Sequence, residues 1–99
     1  MTATEPSIYT RLLFALSGHS YRGLRLKQVA EAIGEPASTT LRNLQKLEED
    51  GLTERSPFDA NCWRLSPRIV QIALAHQAEV AREEQALDDF RTRYSRNPN

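Results

Sequence analysis

Residues 34–55 read GEPASTTLRNLQKLEEDGLTER, and residues 56–68 continue SPFDANCWRLSPR. Gly34 ends the helix before it, because glycine enters the left-handed conformation without a Cβ penalty. Pro36 biases Glu35 towards extended geometry and suits the first position of a new helix. Over residues 36–50, Leu41, Leu44 and Leu47 fall at helical spacing among small, polar and charged neighbours. Gly51 stands where a left-handed cap belongs, with Leu52 spaced to touch Leu47 as a Schellman ending requires. Residues 52–55 and 62–65 are short strand candidates, and Pro57, Asp59 and Asn61 between them are turn formers.

Upstream, Ile8, Leu12 and Leu16, with Tyr9 and Leu13 alongside, form an apolar stripe of helical period. That helix starts after Thr4 or Ser7, both good N-caps, and stops at Gly18. Residues 19–23 are a loop and 24–26 a brief extended run. A second helix covers residues 26–33, with Leu26, Val29, Ala30 and Ile33 inward. Its start is poorly capped, since Arg25 offers no side-chain oxygen. Two helices joined by a short glycine turn, then a strand pair, read as a helix-turn-helix with a wing. The expected fold is therefore mainly α with a small β part (α+β). It is a winged helix-turn-helix over residues 1–66, followed by a long C-terminal helix over 67–94 and a disordered tail over 95–99.

The 99 residues carry 13 Lys plus Arg and 13 Asp plus Glu. This balance denies the chain the basic coat of a non-specific nucleic-acid binder, so any DNA contact demands charges segregated by face. No apolar run nears the ~20 residues that span a bilayer, and the N-terminus lacks the order of a secretory signal. With the single cysteine Cys62 this gives a cytoplasmic, nucleoid-associated expectation. His19 and His76 stand apart, with no clustered acid or cysteine. No metal, cofactor, small-molecule ligand or catalytic arrangement is indicated.

A helix that enters the major groove carries small or polar residues on its first turns and hydrogen-bonding side chains that reach base edges. Ala37, Ser38, Thr39, Arg42, Asn43, Gln45 and Lys46 supply them. Arg42 is the base-reading candidate, because its guanidinium fork matches guanine O6 and N7. Ser38 and Thr39 suit phosphates through hydroxyls and the helix N-terminus. Lys46 is placed for the DNA backbone, with Gln45 a lesser candidate. Over the wing, residues 55–64, Arg55, Asn61 and Arg64 are candidates for the backbone or minor groove. Phe58 is expected to pack on Trp63, with a wedge against DNA sugars as the alternative, and Trp63 to anchor the hairpin to the core.

Residues 24–70 resemble the N-terminal domain of the IclR family of transcription regulators. The segments LRLKQVAEAIGEPASTTLRNLQKLEEDGLTER and WRLSPRIVQIA follow that family's pattern without a gap apart from the wing loop. The resemblance places the family's serine–threonine pair on Ser38 and Thr39, its helix arginine on Arg42, and its closing Leu-small-Pro-Arg on Leu65 to Arg68. MarR-like winged helices share the helix and the glycine–leucine ending. The family's large effector-binding domain does not follow in these residues, so its small-molecule induction does not carry over. Leu41 occupies a position usually polar in the family, and is read as core, with contact to a thymine methyl as the alternative.

Ser66 as N-cap and Pro67 at the first position open the last helix. Alternate steps of four and three from Ile69 give Ala73, His76, Val80, Glu83, Leu87, Phe90 and Tyr94, a heptad seam with polar positions at His76 and Glu83. The expectation is a homodimeric regulator, a repressor of transcription, bound to a palindromic double-stranded site. The alternative is a winged helix used for protein docking, or an accessory factor of a nucleoprotein complex.

Overall fold

A computed structural model describes residues 5–96 of the chain. Its elements are α1 (Ile8–Leu16), β1 (Leu24–Arg25), α2 (Leu26–Ile33), α3 (Ala37–Glu49), β2 (Thr53–Arg55), β3 (Cys62–Leu65) and α4 (Pro67–Ser95). Backbone packing divides them into two compact units that part between Ile69 and Val70.

The first unit is built on one apolar cluster. Leu12 and Leu16 of α1, Val29 and Ile33 of α2, Leu44 and Leu47 of α3, and Trp63 of β3 are all buried in it. These are the helical-period positions read from the sequence, with the tryptophan closing the sheet side. Leu41 packs on the cluster half-buried, as a core-edge residue.

The caps differ in detail from the expectation. Ser7 caps α1, its hydroxyl accepting from the Thr10 N–H at 3.3 Å; Thr4 lies outside the described residues. Pro36 is the N-cap of α3 rather than its first residue. Its carbonyl accepts from the Thr40 N–H at 3.0 Å and from the Thr40 hydroxyl at 2.9 Å. The start of α2 is better held than expected, because Gln28 Oε1 accepts the Arg25 N–H at 2.9 Å. That is half a capping box; an arginine side chain has only donors and cannot complete the other half. At the end of α3 the Schellman motif is complete. Leu52 N–H donates to the Leu47 carbonyl at 2.9 Å, and Gly51 N–H to that of Glu48 at 3.0 Å.

The wing is a three-stranded antiparallel sheet of order β1-β3-β2, not a lone hairpin. Leu24 pairs with Trp63 on one side of β3, and Arg55 with Trp63 on the other. Two residues are too short for an alternating pattern, so β1 left only an extended run in the sequence. Buried hydroxyls tie these pieces together. Thr53 donates to the Leu44 carbonyl at 3.0 Å. Ser66 donates to the Gly51 carbonyl and so joins the end of α3 to the start of α4. That hydroxyl was expected to cap α4; the start of α4 instead has a backbone bond from Ile69 N–H to the Ser66 carbonyl at 3.2 Å.

Helix α4 runs to Ser95, one residue into the expected tail, and residues 97–99 lie outside the described part. None of its residues is buried.

Candidate nucleic-acid interface

The helix-turn-helix is α2, the turn at Gly34, Glu35 and Pro36, and α3. Its angle is fixed from outside by Arg11 of α1. Arg11 Nη1 donates to the Ile33 carbonyl at 2.6 Å, and Nη2 meets Glu35 Oε1 at 3.3 Å. One guanidinium thus holds the last carbonyl of α2 and the acid of the turn together. Sequence reading missed Arg11, because an arginine one residue before a core leucine looks like a solvated helix face.

Helix α3 turns Thr40, Leu44 and Leu47 into the domain. The opposite face carries Ser38, Arg42, Gln45 and Lys46, all exposed. Arg42 makes no hydrogen bond or ion pair among the described residues, so its fork is free for a ligand. Ala37 and Ser38 lie exposed on the first turn, with Thr39 half-buried beside them. Asn43 turns back, its amide donating to the Thr39 carbonyl at 2.8 Å, which leaves only its oxygen outward. Lys46 sits 3.4 Å from Asp50 and 3.9 Å from Glu49, exposed pairs that water and salt readily exchange.

On the wing, two expectations require correction. Arg64 is committed inside the domain: Nε and Nη2 reach Glu54 Oε2 at 2.8 and 2.7 Å, and Nη1 donates to the Tyr21 carbonyl at 2.8 Å. Its side chain is only 18% exposed, so it braces the sheet against the loop before β1 rather than reaching outward. Phe58 packs not on Trp63 but on Tyr21, ring centroids 4.8 Å apart, with the Arg22 guanidinium over both rings. The face of Trp63 is covered instead by the Arg55 guanidinium at 4.5 Å. Arg55 also donates to the Ala60 carbonyl at 3.0 Å, which holds the wing loop closed while part of its fork stays exposed. Asn61 is exposed near the tip, its N–H bound to Asp59 in an Asx turn at 2.9 Å.

In the second unit the seam positions Ala73, His76, Val80, Leu87, Phe90 and Tyr94 are all exposed. Val80 and Leu87 lie with His76 and Glu83 along one shallow apolar trough, and Phe90 stacks on Tyr94 at 4.5 Å.

A turn-linked helix pair whose second helix leaves a polar face bare, followed by a small antiparallel wing, defines a winged helix-turn-helix, a fold that docks on duplex DNA. Residues 10–57 match the family model of the IclR helix-turn-helix domain, so this part of the chain is an IclR-type helix-turn-helix, which supports a DNA-binding transcription regulator. No curated protein matches the chain. The matched part reaches from α1 through β2 into the wing loop. Such a domain is regulatory rather than catalytic. No helix among the described residues is long and apolar enough to cross a membrane.

Proposed function

We propose that the chain is a sequence-specific repressor that binds palindromic duplex DNA as a homodimer. The carrying observation is the bare face of α3 in an IclR-type helix-turn-helix, with Arg42 unpaired at its centre. In this reading α3 lies in the major groove and Arg42 reads a guanine. Ser38, Thr39 and the helix N-terminus hold phosphates, with Lys46 and the wing residues Arg55 and Asn61 on the backbone or minor groove. Arg64 is left out of this contact set, since Nε and Nη2 are held by Glu54 and Nη1 by the Tyr21 carbonyl of the loop before β1.

Dimerisation is supported by α4, where Val80, Leu87, Phe90 and Tyr94 repeat along one side at 42–74% exposure. A coiled-coil seam of this kind is stable only when a partner covers it. Phe14 on α1, 75% exposed, supports a contribution from the first helix. Repression is the direct output of such a protein, because a dimer sitting on a promoter excludes polymerase.

The test is selection of random duplex by the purified chain at two salt concentrations. A recovered palindrome whose affinity falls with salt supports the reading. The zero net charge favours a second one, a winged helix that docks on protein, and no enrichment even at low salt would count against the DNA reading and for that one.

A further inference from the structure

The geometry points to a cationic notch beside α3 that seats one deoxyribose of the DNA backbone between its two phosphates. This inference rests on the DNA-binding reading above and adds Arg25 and Lys27 to it, neither of them a contact candidate on the sequence alone.

The notch is open and holds about 370 Å³. Leu26, Leu41 and Trp63, buried or half-buried, form its floor, and the exposed Arg25, Lys27 and Arg55 form its rim, with Asn61 beside them. It therefore combines elements far apart in the chain: the start of α2, the flank of α3 and the wing. A sugar ring is a weakly polar body with an anion on either side, and an apolar floor between cations is its complement.

Position argues for the same occupant. Leu41 lies three residues from Ser38, four from Gln45 and next to Arg42, so the notch borders the face of α3 that reads DNA. A strand edging the groove that α3 occupies meets the notch at that border. The half-exposed Leu41 then packs against the sugar, which accounts for an apolar residue at the edge of a polar face.

The rim cations are available. Lys27 makes no hydrogen bond or ion pair among the described residues. Arg25 meets Asp59 at 3.4 Å with both side chains well solvated, an exposed pair that a phosphate readily displaces. Arg55 is held over the Trp63 ring and bound through Nη1 to Ala60, which aims the rest of its fork in advance. Among the described residues Asp59 is the one acid that pairs with a rim cation, so the rim carries three cations against one paired carboxylate in a chain with no net charge.

The experiment measures affinity for a selected duplex and a random one across a salt series, for the wild-type chain, Lys27→Ala, Arg25→Ala and Arg82→Ala. Arg82 lies on α4 and controls for net charge. Each notch variant is expected to lower the slope of log K against log salt by about one and to weaken both duplexes by the same factor. Lys27→Arg should restore the slope, and Arg82→Ala should leave it unchanged. Unchanged slopes in both notch variants, or an equal fall in Arg82→Ala, overturn the notch while leaving the DNA reading intact. A wild-type chain that binds neither duplex at low salt overturns both.

Discussion

Gly23 holds φ at +83°, and a Cβ there would lie 2.6 Å from the Trp63 carbonyl oxygen. The close approach is what lets β1 reach β3, so the third strand depends on the absence of one side chain. Gly23→Ala combines a strained backbone with a clash against backbone that has no room to yield. It should cost roughly 1–3 kcal/mol or more, seen as a melting temperature about 4–8 °C lower per kcal/mol for a domain of this size. Arg42 is the opposite kind of residue, holding nothing within the fold. Arg42→Ala should leave the melting curve unchanged and weaken the selected duplex by about 1–3 kcal/mol with little loss on random DNA. Equal loss on both duplexes would show that Arg42 meets phosphate rather than a base.

At the scale of elements, the reading helix is locked at both ends by groups outside its apolar period. Arg11 fixes the turn before α3, and behind it Thr53, Leu52 and Ser66 tie the last turns of α3 to β2 and to the start of α4. Thr53→Val keeps the shape and removes the hydroxyl bond to Leu44, so chemical denaturation should show a loss of about 1 kcal/mol. The m-value should not change, since the same surface is buried. These locks also mark where the sequence stops being legible. Helices α1, α2 and α3 and the core of Leu12, Leu16, Val29, Ile33, Leu44 and Leu47 followed from a 3.6-residue period and glycine stops, which are local signals. The pairing of β1 with β3, the clamp by Arg11 and the burial of Thr40, Thr53, Ser56 and Ser66 join residues distant in sequence or depend on a single hydroxyl, and no period records them. The same holds for the interface. The candidates Ser38, Thr39 and Arg42 follow from the pattern of one helix. The inward turn of Arg64, the pairing of Phe58 with Tyr21 and the gathering of Arg25, Lys27 and Arg55 appear only once the chain is folded.

At the scale of the whole molecule, the unresolved balance is between one reading head and the helix that follows it. A single small domain buries limited surface on DNA, and its affinity at physiological salt is held down by the few phosphates it can neutralise. Coupling two heads makes the second contact intramolecular and raises the overall affinity without any new kind of contact. Helix α4 has 29 residues and a length of ~43 Å; in the proposed dimer it supplies the seam, with the polar positions His76 and Glu83 serving register rather than strength. The seam side chains are absent from the core cluster of the first unit, so changing them tests assembly apart from folding. Val80→Glu and Leu87→Glu place like charges opposite each other in any two-fold pairing about their own level and desolvate them in any other. Sedimentation should show the wild-type chain as a dimer at micromolar concentration and both variants as monomers. The variants should keep the binding to a single half-site while losing the added affinity for two half-sites set roughly 34 Å apart, one helical turn of DNA. A wild-type chain that sediments as a monomer at high micromolar concentration removes the dimer, and with it the expectation of a palindrome.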